Sequence, residues 1–322
     1  MDPLLQRSKG GTDSSQTFTS GLGFVGRLGA VSQPPYLHFT APAGEQLRLP
    51  SAPRSIEKGK TLATLLGKPA VQCLAGNLAA VAPGFDARAF EEDALAGLAP
   101  LSLTERGRHL ADVLHRHLPR PYSAAVKVLL RSLTPPLTET TGLGLGVFFY
   151  LPHVTFVGDY GVLPLHNGGR DPFATSMWAQ HELTRRFSAE FSIRAFLVQD
   201  EARTLRQLLR WTRDPDPHVR RLCSEGSRPR LPWARRIPSF MADPRPVITI
   251  LEALKDDPEL YVRRSVANHV GDIAKDHPRI AFELCERWLD GASAERRAMI
   301  RHALRHPAKK GVPAALRLRR RA

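Results

Sequence analysis

Asp214-Pro215-Asp216-Pro217-His218-Val219-Arg220-Arg221 returns 43 residues later as Asp257-Pro258-Glu259-Leu260-Tyr261-Val262-Arg263-Arg264. In the same register Leu208 falls opposite Leu251 and Ser224 opposite Ala267. An aspartate ahead of a helix caps its free N–H groups, and proline suits the first turn, so each Asp-Pro pair predicts the opening of a helix. A weaker copy lies at Ile300-Arg301-His302-Ala303-Leu304 and an earlier one around Phe187 to Phe196. A period near 40 residues predicts stacked helix pairs whose second helices line the inner face of a curved array.

Upstream, apolar residues keep helical spacing. Leu62, Leu65 and Leu66 form one set, Leu110, Val113, Leu114 and Leu118 a second, and Val126, Leu129, Leu130 and Leu133 a third. Breakers at Pro83-Gly84, Pro100, Pro119, Pro135-Pro136 and Pro152 keep the helices short, and strand-type alternation is scarce. The expected fold is all-α, a HEAT-like helical-repeat solenoid (α-α superhelix) with a concave basic face. The apolar run from Gly142 to Val157 is shorter than a membrane span and is broken by Gly144, Gly146, Pro152 and His153, which predicts core. Residues 1–55, rich in Gly, Ser, Thr, Pro and Gln, read as a mobile arm. The folded domain is expected over 56–310, followed by a basic tail over 311–322.

The chain of 322 residues carries 46 Lys and Arg against 31 Asp and Glu, a formal charge of +15. Such a balance favours polyanionic partners. Residues 1–55 hold five basic and three acidic side chains, so nearly all the excess belongs to the folded part. Ten arginines stand between Arg203 and Arg236 against three acids, Asp214, Asp216 and Glu225. A solvated helix face mixes signs; this stretch predicts phosphate contacts along a groove. Three scattered cysteines, Cys73, Cys223 and Cys285, offer neither a disulfide framework nor zinc spacing. With no signal-peptide or transit pattern, a cytoplasmic, non-membrane protein is expected.

Isolated acids interrupt the basic surface. Glu225 precedes Gly226 at the negative end of a helix, where a carboxylate is disfavoured, and Arg228 or Arg230 would compensate it. Taken singly, each candidate has an ordinary explanation: an ion pair for Glu225, a pair with Arg194 at i+4 for Glu190, core for Trp233, and solvent exposure for Asp272.

Together they carry a resemblance. The runs His218-Val219-Arg220-Arg221-Leu222, Ser224-Glu225-Gly226, Arg228-Pro229-Arg230-Leu231-Pro232-Trp233 and Tyr261-Val262-Arg263-Arg264-Ser265-Val266-Ala267-Asn268 resemble the AlkC branch of the AlkC/AlkD HEAT-like DNA glycosylases. Phe187-Ser188-Ala189-Glu190-Phe191 with Arg194, and Asp272-Ile273 with Lys275-Asp276, match in order and approximate spacing. The likeness is specific from Asp171 to Leu304, looser from Ile56 to Tyr160 and absent from 1–55. Some relatives add a C-terminal immunoglobulin-like domain, and with the sequence running to Arg321-Ala322 none is expected here.

The resemblance implies a bacterial base-excision repair enzyme, nucleoid-associated, that removes 3-methyladenine and 3-methylcytosine from double-stranded DNA. It places the family's catalytic positions on Glu190, Glu225, Trp233 and Asp272. DNA contacts are expected from Arg194, Arg220, Arg221, Arg228, Arg230, Arg263, Arg264 and Asn268. No metal, no cofactor and a monomer are expected. The competing readings are a non-catalytic helical-repeat scaffold for nucleic acid or an acidic protein, and an RNA-binding solenoid, which would show more exposed aromatics for base stacking than Trp211 and Trp233.

Overall fold

The computed structural model describes residues 47–56 and 58–322. Among these, all regular structure is helical, with no strand. The N-terminal part runs through a 3-10 turn (Leu62–Leu66), α1 (Lys68–Val81), α2 (Ala87–Leu95), α3 (Leu103–His117) and α4 (Tyr122–Arg131). The breakers at Pro83-Gly84, Pro100, Pro119 and Pro135-Pro136 fall between elements, whereas Pro152 sits in the first turn of a helix. Leu110, Val113, Leu114 and Leu118 are buried together with Val126, Leu129, Leu130 and Leu133, so the 3.6-residue pattern does mark the core face. The Gly142–Val157 run becomes a 3-10 turn (Gly146–Tyr150) followed by α5 (Leu151–Tyr160), with Phe149, Tyr150, Val154, Phe156 and Val157 buried. Among the described residues no helix is long and apolar enough to cross a membrane.

Next come α6 (Phe173–Thr184), α7 (Ile193–Gln199), α8 (Glu201–Trp211), α9 (Pro217–Gly226), α10 (Pro238–Ala242), α11 (Arg245–Leu254) and α12 (Leu260–Asp276). The described chain closes with α13 (Pro278–Leu289), α14 (Ala294–Ala303), α15 (Arg305–Lys309) and α16 (Pro313–Arg321). The 43-residue repeat maps onto the α8/α9 and α11/α12 pairs, and the Ile300–Leu304 copy lies on α14 and its C-terminal cap. Helices α6, α9, α12 and α14 pack each on the next. The earlier copy expected at 187–196 is displaced: those residues form a turn and the start of α7, and α6 takes the place before α9 in the stack.

The Asp-Pro turns also differ from expectation. Asp216, not Asp214, caps α9, its side chain accepting the His218 N–H with Pro217 next in line. Asp214 and Asp257 lie two residues before the caps, and each accepts the N–H of the cap residue, Asp216 or Glu259, at 2.9 Å. Arg220 then donates to the Asp214 and Pro215 carbonyls, and Arg263 to those of Asp257 and Pro258. The repeated arginine is therefore part of the turn it follows.

Both outer boundaries shift. Arg48 N–H donates to Asn77 Oδ1 and its carbonyl accepts from Asn77 Nδ2, so the packed part already includes residues ahead of 56. Of the arm expected over 1–55, residues 1–46 lie outside the described residues. The expected tail forms the helix α16, which buries Ala315 and Leu318 and packs on α13. Arg297 and Arg301 hold its end through the Arg321 and Ala322 carbonyls.

Candidate active site

Three buried or nearly buried acids meet where α9, α12 and the turn before α7 adjoin. Glu225, in the last turn of α9, and Asp272, on α12, have side chains only 7% and 3% exposed. Arg228 bridges them, donating to Glu225 Oε1 at 2.5 Å and to Asp272 Oδ2 at 2.8 Å. Lys275 donates to the other Asp272 oxygen at 2.7 Å, and Ser265 Oγ to Glu225 Oε2 at 2.6 Å. Arg221 lies 3.6 Å from Glu225 and donates to Glu190 Oε2 at 2.9 Å, where Ser188 Oγ also donates. The result is an alternating string, Glu190–Arg221–Glu225–Arg228–Asp272–Lys275.

Burial pushes the Glu225 carboxyl upward, but Arg221, Arg228 and the Ser265 hydroxyl outweigh it and hold the group below the ordinary glutamate range. Compensation of the helix dipole thus comes from Arg228, while Arg230 goes instead to Asp276 with two 2.8 Å bonds. Glu190 pairs with Arg221 rather than with Arg194. Asp272 is buried rather than solvated.

A loop over 227–237 supplies both Arg228 and Trp233. Trp233 is not core: it is 72% exposed with φ +60, a left-handed conformation unusual for a bulky side chain. Beneath the loop Arg194 is fully buried and donates to the carbonyls of Gly226, Arg228, Pro229 and Arg235. Burial lowers its pKa to about 10, which leaves it cationic at neutral pH.

The remaining expected DNA contacts divide. Arg220 is held by Asp257 with bonds of 2.6 and 3.1 Å, and Arg263 by turn carbonyls. Asn268 accepts from His302 and Arg305. Arg264 is exposed and has no acidic partner among the described residues. Of the ten arginines from Arg203 to Arg236, five meet acids. Asp171 takes Arg203, Asp257 takes Arg220, and Asp276 takes Arg230, while Arg221 and Arg228 enter the string. Arg206, Arg210, Arg213, Arg235 and Arg236 are exposed without an acidic partner among the described residues.

Reading the sequence missed Tyr261, Ser265 and Lys275. Tyr261 lies under the Arg221 guanidinium at 4.9 Å and is edge-on to His218. Their signal was helical spacing on α12: Ser265, Asp272 and Lys275 recur at seven and three residues, which puts them on one face. Among the described residues no group of three or more His, Cys, Asp or Glu is arranged to hold a metal ion. Chemically, the site offers buried carboxylates paired with resident cations, and the loop that supplies Arg228 also carries an exposed aromatic ring.

No family model matches the chain. The uncharacterized protein YhaZ of Bacillus subtilis (strain 168) is 38% identical over 218 residues, covering 68% of this chain but 56% of its own, so the chain spans little more than half the length of that curated relative. Among solved structures, Pseudomonas fluorescens alkylpurine DNA glycosylase AlkC, bound to DNA containing an abasic site analog, is similar with a TM-score of 0.70 and 39% identity. The match covers 81% of this chain and 68% of that one.

Proposed function

This chain belongs to the AlkC family of alkylpurine DNA glycosylases, and from that premise we propose that it hydrolyses the N-glycosidic bond of 3-methyladenine and 3-methylcytosine in double-stranded DNA. The observation that carries the reading is the pair of buried carboxylates, Glu225 and Asp272, sharing one guanidinium. Burying ions is costly, and a structural role alone is served as well by apolar packing. A site that must balance a transient cation has a use for them.

Alkylation leaves the base positively charged, so it departs with the bonding electron pair and needs no strong acid. Positive charge passes to the sugar, and water adds at the anomeric carbon of the oxocarbenium-like species and loses a proton. Fixed carboxylates stabilise that charge without reorganising, and one of them can orient the water. In this reading Glu225 and Asp272 face the sugar, Glu190 fixes Arg221 beside them, and Trp233 stacks on the cationic base, a contact worth roughly 0.5–2 kcal/mol. Because the leaving group is activated by its own charge, the chemistry calls for neither a metal nor an organic cofactor.

The competing scaffold reading takes support from the ion pairing of all three acids. Incubation with duplex DNA containing one 3-methyladenine or 3-methylcytosine, followed by alkaline cleavage, separates the two. The glycosylase reading expects strand breaks at the lesion; DNA binding without breaks would establish the scaffold instead.

A further inference from the structure

Arg194 stands out because a fully buried guanidinium has no carboxylate within hydrogen-bond reach among the described residues and spends its donors on main-chain carbonyls. The acceptors bracket one loop. Gly226, Arg228 and Pro229 lie at its entry and Arg235 near its exit. The loop also closes on itself through the Ile237 N–H to the Pro229 carbonyl. Between the two ends stand Arg228, which joins Glu225 to Asp272, and Trp233, held at positive φ and projecting into solvent. Gly226 allows α9 to approach this anchor so closely that an added Cβ would fall 2.5 Å from Ile193 Cγ2.

We propose that Arg194 is a positioning residue that touches neither DNA nor base, and acts by clamping both ends of the 227–237 loop so that Arg228 and Trp233 are presented together. A planar fork with several donors can span carbonyls that a single ammonium cannot. The buried carbonyls of Gly226 and Arg228 would otherwise lack a partner, and the loop would open toward water. The role in turnover rests on the glycosylase reading; the clamp and its burial do not.

The test uses the full chain with Arg194→Lys and Arg194→Gln, measuring single-turnover base release and the salt dependence of duplex binding. Release should fall at least about 100-fold, as expected when a reacting geometry slips by about an ångström. The slope of log K against log salt should stay at the wild-type value. A phosphate contact would instead lower it by about 0.9 in the Gln variant. Adding Trp233→Ala to Arg194→Lys should cost no more than the worse single change, because both act through the same loop. Unchanged release, a lowered slope or additive losses would overturn the proposal.

If the variants do not fold, the wild-type protein still decides. An arginine-selective dione with peptide mapping should leave Arg194 unmodified with and without DNA, while Arg235 and Arg236 react and become protected by DNA. Modification of Arg194 in the free protein, prevented by DNA, would make it a contact and sink the clamp. Absence of base release by the wild type would overturn the functional reading, leaving the salt slope and the dione map to judge Arg194.

Discussion

Glu225 and Asp272 illustrate why a carboxylate's neighbours matter more than its position in the chain. Both are deeply buried and paired with cations from three different segments. Glu225→Gln and Asp272→Asn keep shape while removing charge, so each should lower single-turnover release by about 100-fold or more while duplex affinity stays within a few-fold. Retained turnover in both would remove them from the reaction. His181 gives a pH-dependent counterpart. Burial opposes its protonation, but Asp214 at 2.9 Å and Glu182 outweigh that and raise its pKa to about 9. An unfolded histidine titrates near 6.5, so the stabilisation is complete below that pH and disappears as pH rises through about 9. Thermal unfolding should show roughly 2–3 kcal/mol lost across that window, and His181→Gln should remove the dependence. Aspartate spacing revealed neither group's partners, because Asp214 lies 33 positions from His181 and Asp272 lies 44 from Arg228.

Helices α9, α12 and α14 are legible in the sequence, since a repeat of 43 residues with apolar spacing leaves few other folds. Their exact caps are not. Consecutive Asp-Pro pairs offer two equivalent starts; Asp216 becomes the cap because its carboxylate accepts the His218 N–H, while that of Asp214 accepts the Asp216 N–H. The basic run at the C-terminus reads as a solvated tail because four arginines crowd into its last six residues. Only the docking of Ala315 and Leu318 on α13 turns it into α16. Leu318→Ala should therefore cost about 2–3 kcal/mol and lower the melting temperature, which a free tail would not feel. Gly226→Ala, pressing a methyl toward Ile193, should cost about 1–3 kcal/mol and disturb the neighbouring Glu225.

Across the molecule, the surplus of positive charge is real but is not where composition places it. Half the arginines between Arg203 and Arg236 are neutralised by Asp171, Glu190, Glu225, Asp257, Asp272 and Asp276, most of them remote in the chain. Removing Arg235, Arg236 and Arg264 together should flatten the salt slope of duplex binding by about 2–3. Arg220→Ala should lower stability with little change in that slope; equal slopes for both sets would refute the division. Helix class, repeat length and the identity of the family can all be read from the order of residues. They depend on local spacing, caps and breakers, and on motifs that stay intact along the chain. Which arginine is a phosphate contact, which is a turn brace and which is a buried clamp depends on acids and carbonyls brought close by folding. A charge's role is set by what surrounds it within a few ångströms, and that neighbourhood exists only once α7, α9 and α12 have packed.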